Sequence, residues 1–153
     1  MTACTLRVQV NLDGYALPIK KLKGTEPVES LDLSGKNLGV ASAIVIASLI
    51  SVSGALTSLD LSNNQLCGGN IWGTYTTEAI TAIAEALRVN GLLTSVELRG
   101  NKLGDEGWGA IFAAICGNKD RKIMSMDTSY ENIGPAGGKL IAEALRTRAS
   151  QAR

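Results

Sequence analysis

The sequence predicts an α/β chain built as a stack of four strand–helix units. Three observations carry this. One phrase recurs four times, beginning at Val28, Leu56, Leu93 and Ile123, so the unit repeats after 28, 37 and 30 residues. Within each phrase apolar and polar residues alternate, as on a strand. After each phrase the apolar residues fall at helical spacing. A unit that cannot bury its apolar side alone must stack on its neighbours, so this pattern sets the architecture of most of the chain.

The strands come first in each unit. Leu31 and Leu33, Leu59 and Leu61, and Val96 and Leu98 alternate with polar residues, the period-two signature. Met126 and Thr128 hold the same places in the fourth unit, and Thr128 marks that unit as atypical. The helices follow. Residues 41–51 are apolar almost all round, which predicts thorough burial. Residues 76–89 are amphipathic, with Ile80, Ile83, Ala84 and Leu87 on one stripe. Residues 107–116 carry Ile111, Phe112 and Ile115. Residues 135–147 carry Leu140, Ile141, Ala144 and Leu145, with Pro135 suited to a first helical turn. Asn90-Gly91 and Gly117-Asn118 read as helix stops, and Thr76 or Thr77 as an N-cap.

The four phrases, Val28–Leu38, Leu56–Leu66, Leu93–Leu103 and Ile123–Ile133, resemble the leucine-rich repeat, L-x-x-L-x-L-x-x-N-x-L. The length of about 28 residues is similar to that of the ribonuclease-inhibitor-like subfamily. The resemblance implies a right-handed β-α superhelix, a horseshoe segment with parallel strands on the concave face and helices on the convex face. It also implies an asparagine at position nine that bonds backbone groups in the turn. Asn64 and Asn101 fit. Lys36 and Glu131 do not, and Asn37 and Asn132 follow one residue later. The turns of the first and last units are therefore expected to be irregular, or Asn37 and Asn132 to substitute.

Residues 1–27 fall outside the repeat and form the first region; residues 28–153 form the second, the repeat domain. Leu6, Val8, Val10 and Leu12 alternate, Asp13-Gly14 is a turn signal, and Tyr15, Leu17 and Ile19 alternate again. This predicts a β-hairpin that caps the edge of the first repeat. Lys20, Lys21 and Lys23 offer a second reading, a basic arm followed by a linker at Gly24, Thr25 and Pro27. The polar end, Arg146 to Arg153, is expected to fray, and it is equally the place where a longer parent protein would continue.

Composition narrows the chemistry. A net charge of +1 argues against bulk attraction to nucleic acid or membrane, and no apolar run approaches the roughly 20 residues of a membrane span. The start does not read as a signal peptide. Cys4, Cys67 and Cys116 lack metal-ligand spacing, and the expectation is reduced thiols in an intracellular, cytoplasmic protein. There is no histidine, hence neither the commonest general base nor the commonest metal ligand. Gly134-Pro-Ala-Gly137-Gly138-Lys139-Leu140 looks superficially like a phosphate loop but fails the spacing. No enzyme activity and no cofactor are expected.

Two surfaces remain for binding. On the strands, Asp32, Asp60, Glu97 and Asp127 form one column, flanked by Ser34, Ser62, Arg99 and Ser129 and by Gly35, Asn63, Gly100 and Tyr130. Like charges at the roughly 4.8 Å spacing of neighbouring strands repel. The column is either a surface for a basic partner or a soluble solution held by the serines and Arg99. The second surface is the insertion in the long second unit, after Leu66, where Trp72 and Tyr75 lie amid glycines. They are either interface anchors, or Trp72 folds onto Trp108 and closes the core. The expected function is a non-catalytic protein-interaction scaffold. The candidate partner-binding residues are Asp32, Asp60, Glu97, Arg99, Asp127, Tyr130, Trp72 and Tyr75. The expected partner is another protein with a basic surface, and an open repeat edge would also allow self-association. The alternatives are a regulator of a small GTPase, which the subfamily resemblance implies, and a structural subunit or fragment of a larger leucine-rich repeat protein.

Overall fold

A computed structural model describes residues 9–68, 74–120 and 122–151. A short antiparallel pair, β1 (Val10–Asn11) and β2 (Ala16–Leu17), precedes helix α1 (Ile19–Lys23). Then strands and helices alternate: β3 (Ser30–Asp32), α2 (Val40–Ile50), β4 (Ser58–Asp60), α3 (Glu78–Val89), β5 (Ser95–Glu97), α4 (Gly104–Gly117) and finally α5 (Pro135–Gln151). β3, β4 and β5 form a parallel sheet in that order, with Leu31, Leu59 and Val96 in register. Each helix packs on the next, α2 on α3, α3 on α4 and α4 on α5.

The core is the repeat pattern itself. Leu33, Leu61 and Leu98, the second strand leucines, are fully buried, and so are Leu38, Leu66 and Leu103 after the turns. From the helices come Ile46, Ile50, Ile80, Ile83, Ile111 and Trp108. Helix α2 is less enclosed than its composition predicts. Ala41, Ile44 and Ser48 lie on an outer flank, with Ile44 40% exposed. A helix with neighbours on two sides still has a third side facing water.

The N-terminal region forms an antiparallel pair but departs from the expected second strand, which ends early. β1 and β2 pair Val10 with Leu17 and Asn11 with Ala16, which leaves residues 12–15 as a four-residue loop around Asp13-Gly14. The second strand stops at Leu17 because Pro18 has no N–H for a ladder. Ile19 to Lys23 then form a helical turn, not a continued strand or a basic linker. Leu22 from that turn is fully buried, and Gly24 closes it at φ 89° with its N–H on the carbonyls of Lys20 and Lys21. Leu6, Val8 and Cys4 lie outside the described residues.

The fourth unit also departs. Among the described residues, 125–127 form no strand. In the sheet, the position-eight amide donates to the next unit: Gly35 to the carbonyl of Ser62 at 3.0 Å, and Asn63 to that of Arg99 at 2.8 Å. Gly100 instead donates to the Glu131 carboxylate at 2.6 Å. Glu131 thus takes the amide that would otherwise go to Ser129, and the ladder stops. The turn conformation nevertheless persists in all four units. Position eight is left-handed at Gly35, Asn63, Gly100 and Tyr130. Asn37 and Asn132 are left-handed too, so they shape the backbone and do not replace the missing position-nine side chains.

Candidate functional site

The column of acidic side chains lies along the sheet, with Asp32, Asp60 and Glu97 in direct register. Each carboxylate is tied to its own strand end. Asp32 Oδ1 accepts from the Ser34 amide at 2.9 Å and its hydroxyl at 2.6 Å. Asp60 Oδ1 repeats this with Ser62 at 2.9 and 2.6 Å. Asp127 Oδ1 accepts from the Ser129 amide at 2.9 Å. Glu97 Oε1 accepts from the Arg99 amide at 3.2 Å and its Nε at 3.1 Å. Arg99 Nη1 also pairs with Asp127 Oδ2 at 3.0 Å, so one guanidinium joins units three and four.

These contacts set the protonation chemistry. The Ser34 hydroxyl, then its amide, holds the Asp32 carboxyl below the usual aspartate range. Ser129 does the same for Asp127, with Arg99 adding a smaller effect. The hydrogen bond that Arg99 donates to Glu97, and the charges of Glu97 and Asp127, raise Arg99 further above its already high value. Asp32 and Asp127, at the two ends of the column, are thus held in the charged form by hydrogen bonds to that form. Asp32 and Asp127 are exposed, while Asp60, Glu97 and Arg99 are half-buried. Tyr130 stands at the end of this face, 95% exposed.

The insertion places Tyr75 elsewhere. The Thr76 amide donates to the Cys67 carbonyl at 2.9 Å and closes the loop. The Tyr75 hydroxyl donates to the Leu103 carbonyl at 2.5 Å, at the start of α4. Burial, helped by nearby Cys67 and Glu106, raises its pKa. Tyr75 thus has a structural contact across units and keeps 45% of its surface open. Burial pushes the Cys67 thiol up to about 11. Thr76, not Thr77, supplies the side-chain cap: its hydroxyl accepts from the Glu78 amide at 3.2 Å. Trp72 lies outside the described residues. Trp108 is fully buried in α4, tilted against Phe112 with ring centroids 6.5 Å apart. The strand face and Tyr75 are therefore separate features, bound to different parts of the repeat.

The phosphate-loop lookalike has a plain role. The Gly134 amide at the start of α5 donates to Asp105 Oδ1 at 2.8 Å. A carboxylate occupies the place an anion would need. Asp13 serves α2 in the same way, accepting from the Gly39 amide at 2.9 Å and from the buried Ser42 hydroxyl. Both caps come from the preceding part of the chain, 26 and 29 residues away, so local reading misses them. Among the described residues, no three histidine, cysteine or acidic side chains come together as a metal site. No helix among them is long and apolar enough to cross a membrane.

A family model, Leucine Rich Repeat, matches residues 55–74, the second phrase and the start of its insertion. The chain therefore carries a leucine-rich repeat at this place. The chain is also similar to a solved structure, the tropomodulin C-terminal domain from Caenorhabditis elegans. The TM-score is 0.55 and the identity 17%, over 82% of this chain and 70% of that one. At that identity the likeness is one of fold. No curated protein matches the sequence.

Proposed function

We propose that this chain is a non-catalytic protein-interaction scaffold whose partner presents a basic surface to the strand face. In this reading the four units form a horseshoe segment, with the sheet on its concave side and the N-terminal hairpin as a cap over the first unit. The observation that carries the reading is the use of the carboxylate oxygens. Asp32 and Asp60 each commit Oδ1 to the adjacent serine. Among the described residues no protein donor takes either Oδ2. Two carboxylates fixed in register thus keep one uncommitted acceptor each. Preorganised charge of this kind steers a complementary partner and fixes its register.

The test is a double substitution, Asp32→Asn with Asp60→Asn. Asparagine keeps the oxygen that holds each serine and removes the charge. Proteins captured by the wild-type chain are identified and compared with those captured by the variant at matched thermal stability. The reading expects basic proteins held by wild type alone and released by salt. Identical sets from both chains would refute it.

A second reading, a structural subunit or a self-associating chain, has one observation in its favour. On α5, Leu140 and Leu145 are 45% and 49% exposed, at the edge where the ladder stops. Sedimentation over a range of concentrations separates this from a monomeric scaffold.

A further inference from the structure

We propose that Tyr130 is the anchor of the partner surface, and that it receives a cationic side chain, arginine in preference to lysine, from an extended basic segment of the partner protein. This rests on the strand-face reading above and narrows it to one corner and one chemistry.

Tyr130 adopts φ 63° and is 95% exposed. The equivalent position in the other units holds Gly35, Asn63 and Gly100, all left-handed. Glycine and asparagine adopt this backbone at least cost, and a bulky aromatic is an outlier there. Packing of the ring would offset that cost, but the ring is in water. Among the described residues, Tyr130 makes no hydrogen bond, ion pair or ring contact. The fold would be served as well or better by glycine. A large amphipathic ring on a strained turn, left 95% exposed, has the properties of an interface anchor.

The surroundings choose the occupant. Glu131 follows Tyr130, and Asp127 precedes it in the same turn. Arg99 is the cation opposing them, and it is already shared between Glu97 and Asp127. One Glu131 oxygen takes the Gly100 amide; among the described residues, no donor takes the other. A cation over the phenol face gains from the ring quadrupole and from these carboxylates together. Arginine is favoured because its planar group stacks on a ring while its edge donates to carboxylates. The chain already makes a contact of this kind at the other end of the sheet, where Lys36 Nζ lies 5.6 Å from the Tyr15 ring centroid.

The probe is a short fluorescent peptide alternating glycine and arginine, with lysine and glutamate versions beside it, read by anisotropy at low salt. We expect the arginine peptide to bind most tightly and the glutamate peptide not at all. Tyr130→Gly should weaken arginine-peptide binding roughly ten-fold, with a melting temperature equal to or above wild type. Tyr130→Phe should bind like wild type, since the ring and not the hydroxyl does the work. Unchanged binding by Tyr130→Gly overturns the proposal, and so does a melting temperature lowered by that substitution. If Asp32→Asn with Asp60→Asn abolishes peptide binding while Tyr130→Gly does not, the strand-face reading stands and the Tyr130 anchor falls. If wild type binds neither basic peptide, both fall.

Discussion

Asn64 and Asn101 converge on a single atom: the Nδ2 of each donates to the carbonyl oxygen of Leu61, at 2.9 and 2.8 Å. Each asparagine also reaches back one unit. Asn64 Nδ2 donates to Leu33 O at 2.9 Å, and its Oδ1 accepts from the amides of Lys36 and Leu38 at 2.9 and 3.0 Å. Asn101 Oδ1 accepts from the Leu66 amide at 3.4 Å. The asparagine of one unit thus serves the turn of the unit before it. This explains why the first unit folds regularly with Lys36 at position nine.

Asn64→Ala is accordingly expected to be one of the costliest polar substitutions in the chain. It leaves two inward amides and a carbonyl without partners, at about 1–3 kcal/mol each. We expect a loss of about 3–5 kcal/mol in denaturant unfolding. Lys36→Ala should lose less than about 1 kcal/mol, because the turn uses only its backbone amide. Equal losses at the two positions would contradict the handing-back of hydrogen bonds between units.

A second rail runs along the ends of the helices. Asn90 Nδ2 donates to Ile50 O at 2.8 Å, and its Oδ1 accepts from the amides of Leu92 and Leu93, both at 2.8 Å. Asn118 Nδ2 donates to Leu87 O at 2.6 Å and Asn90 O at 2.7 Å. Ser53 holds the matching place in the first unit, and among the described residues its buried hydroxyl has no partner. Asn90→Ala should cost about 2–4 kcal/mol, whereas Ser53→Ala should be neutral within about 0.5 kcal/mol. Thermal unfolding of the two variants side by side checks this.

The strands and helices were legible because their signals are local and periodic. Leu31, Leu59 and Val96 fall in register as the phrases align, and the helix stops at Asn90 and Asn118 were placed within a residue. Their mechanism was not legible. The stops work by asparagine side chains that bond the preceding unit, and neither Gly91 nor Gly117 adopts a left-handed backbone. The same limit applies to Asp13 and Asp105, whose partners lie a whole unit away in sequence. At the candidate site, the alignment of Asp32, Asp60 and Glu97 followed from the repeat. The strain at Tyr130 did not, although position eight reads Gly, Asn and Gly elsewhere, which was the available clue. The contact of Tyr75 with Leu103 was not legible either, because it reaches into the next unit.

The acidic column gives a prediction in pH. Asp32 and Asp127 have carboxyls held below the ordinary aspartate value by the serines two residues on. A folded-state pKa below the unfolded one means that the contribution is present above the unfolded value and is lost as pH falls through the folded one. NMR titration of the side-chain carboxyls should find both groups protonating below unfolded-state aspartate. Ser34→Ala should move Asp32 upward and leave Asp127 in place. An unmoved Asp32 would show that the serine hydroxyl is not what holds it.

The last helix offers a paired test of packing. Gly109 on α4 faces Leu140 on α5 so closely that an added Cβ would lie 2.7–2.8 Å from that side chain. Gly138, also on α5, has nothing within 4 Å of the same position. Both are helical glycines, so replacement by alanine should give each about 1 kcal/mol of helix propensity. At Gly138 nothing opposes the gain, and Gly138→Ala should raise the melting temperature. At Gly109 the methyl must displace Leu140, which packs α5 onto α4, and overpacking of this kind costs about 1–3 kcal/mol. Gly109→Ala should therefore lower the melting temperature. Adding Leu140→Ala to Gly109→Ala makes room for the methyl, so the pair should couple favourably in a double-mutant cycle. Strict additivity would mean that α5 does not rest on Gly109, and the close approach of the last two helices would need another cause.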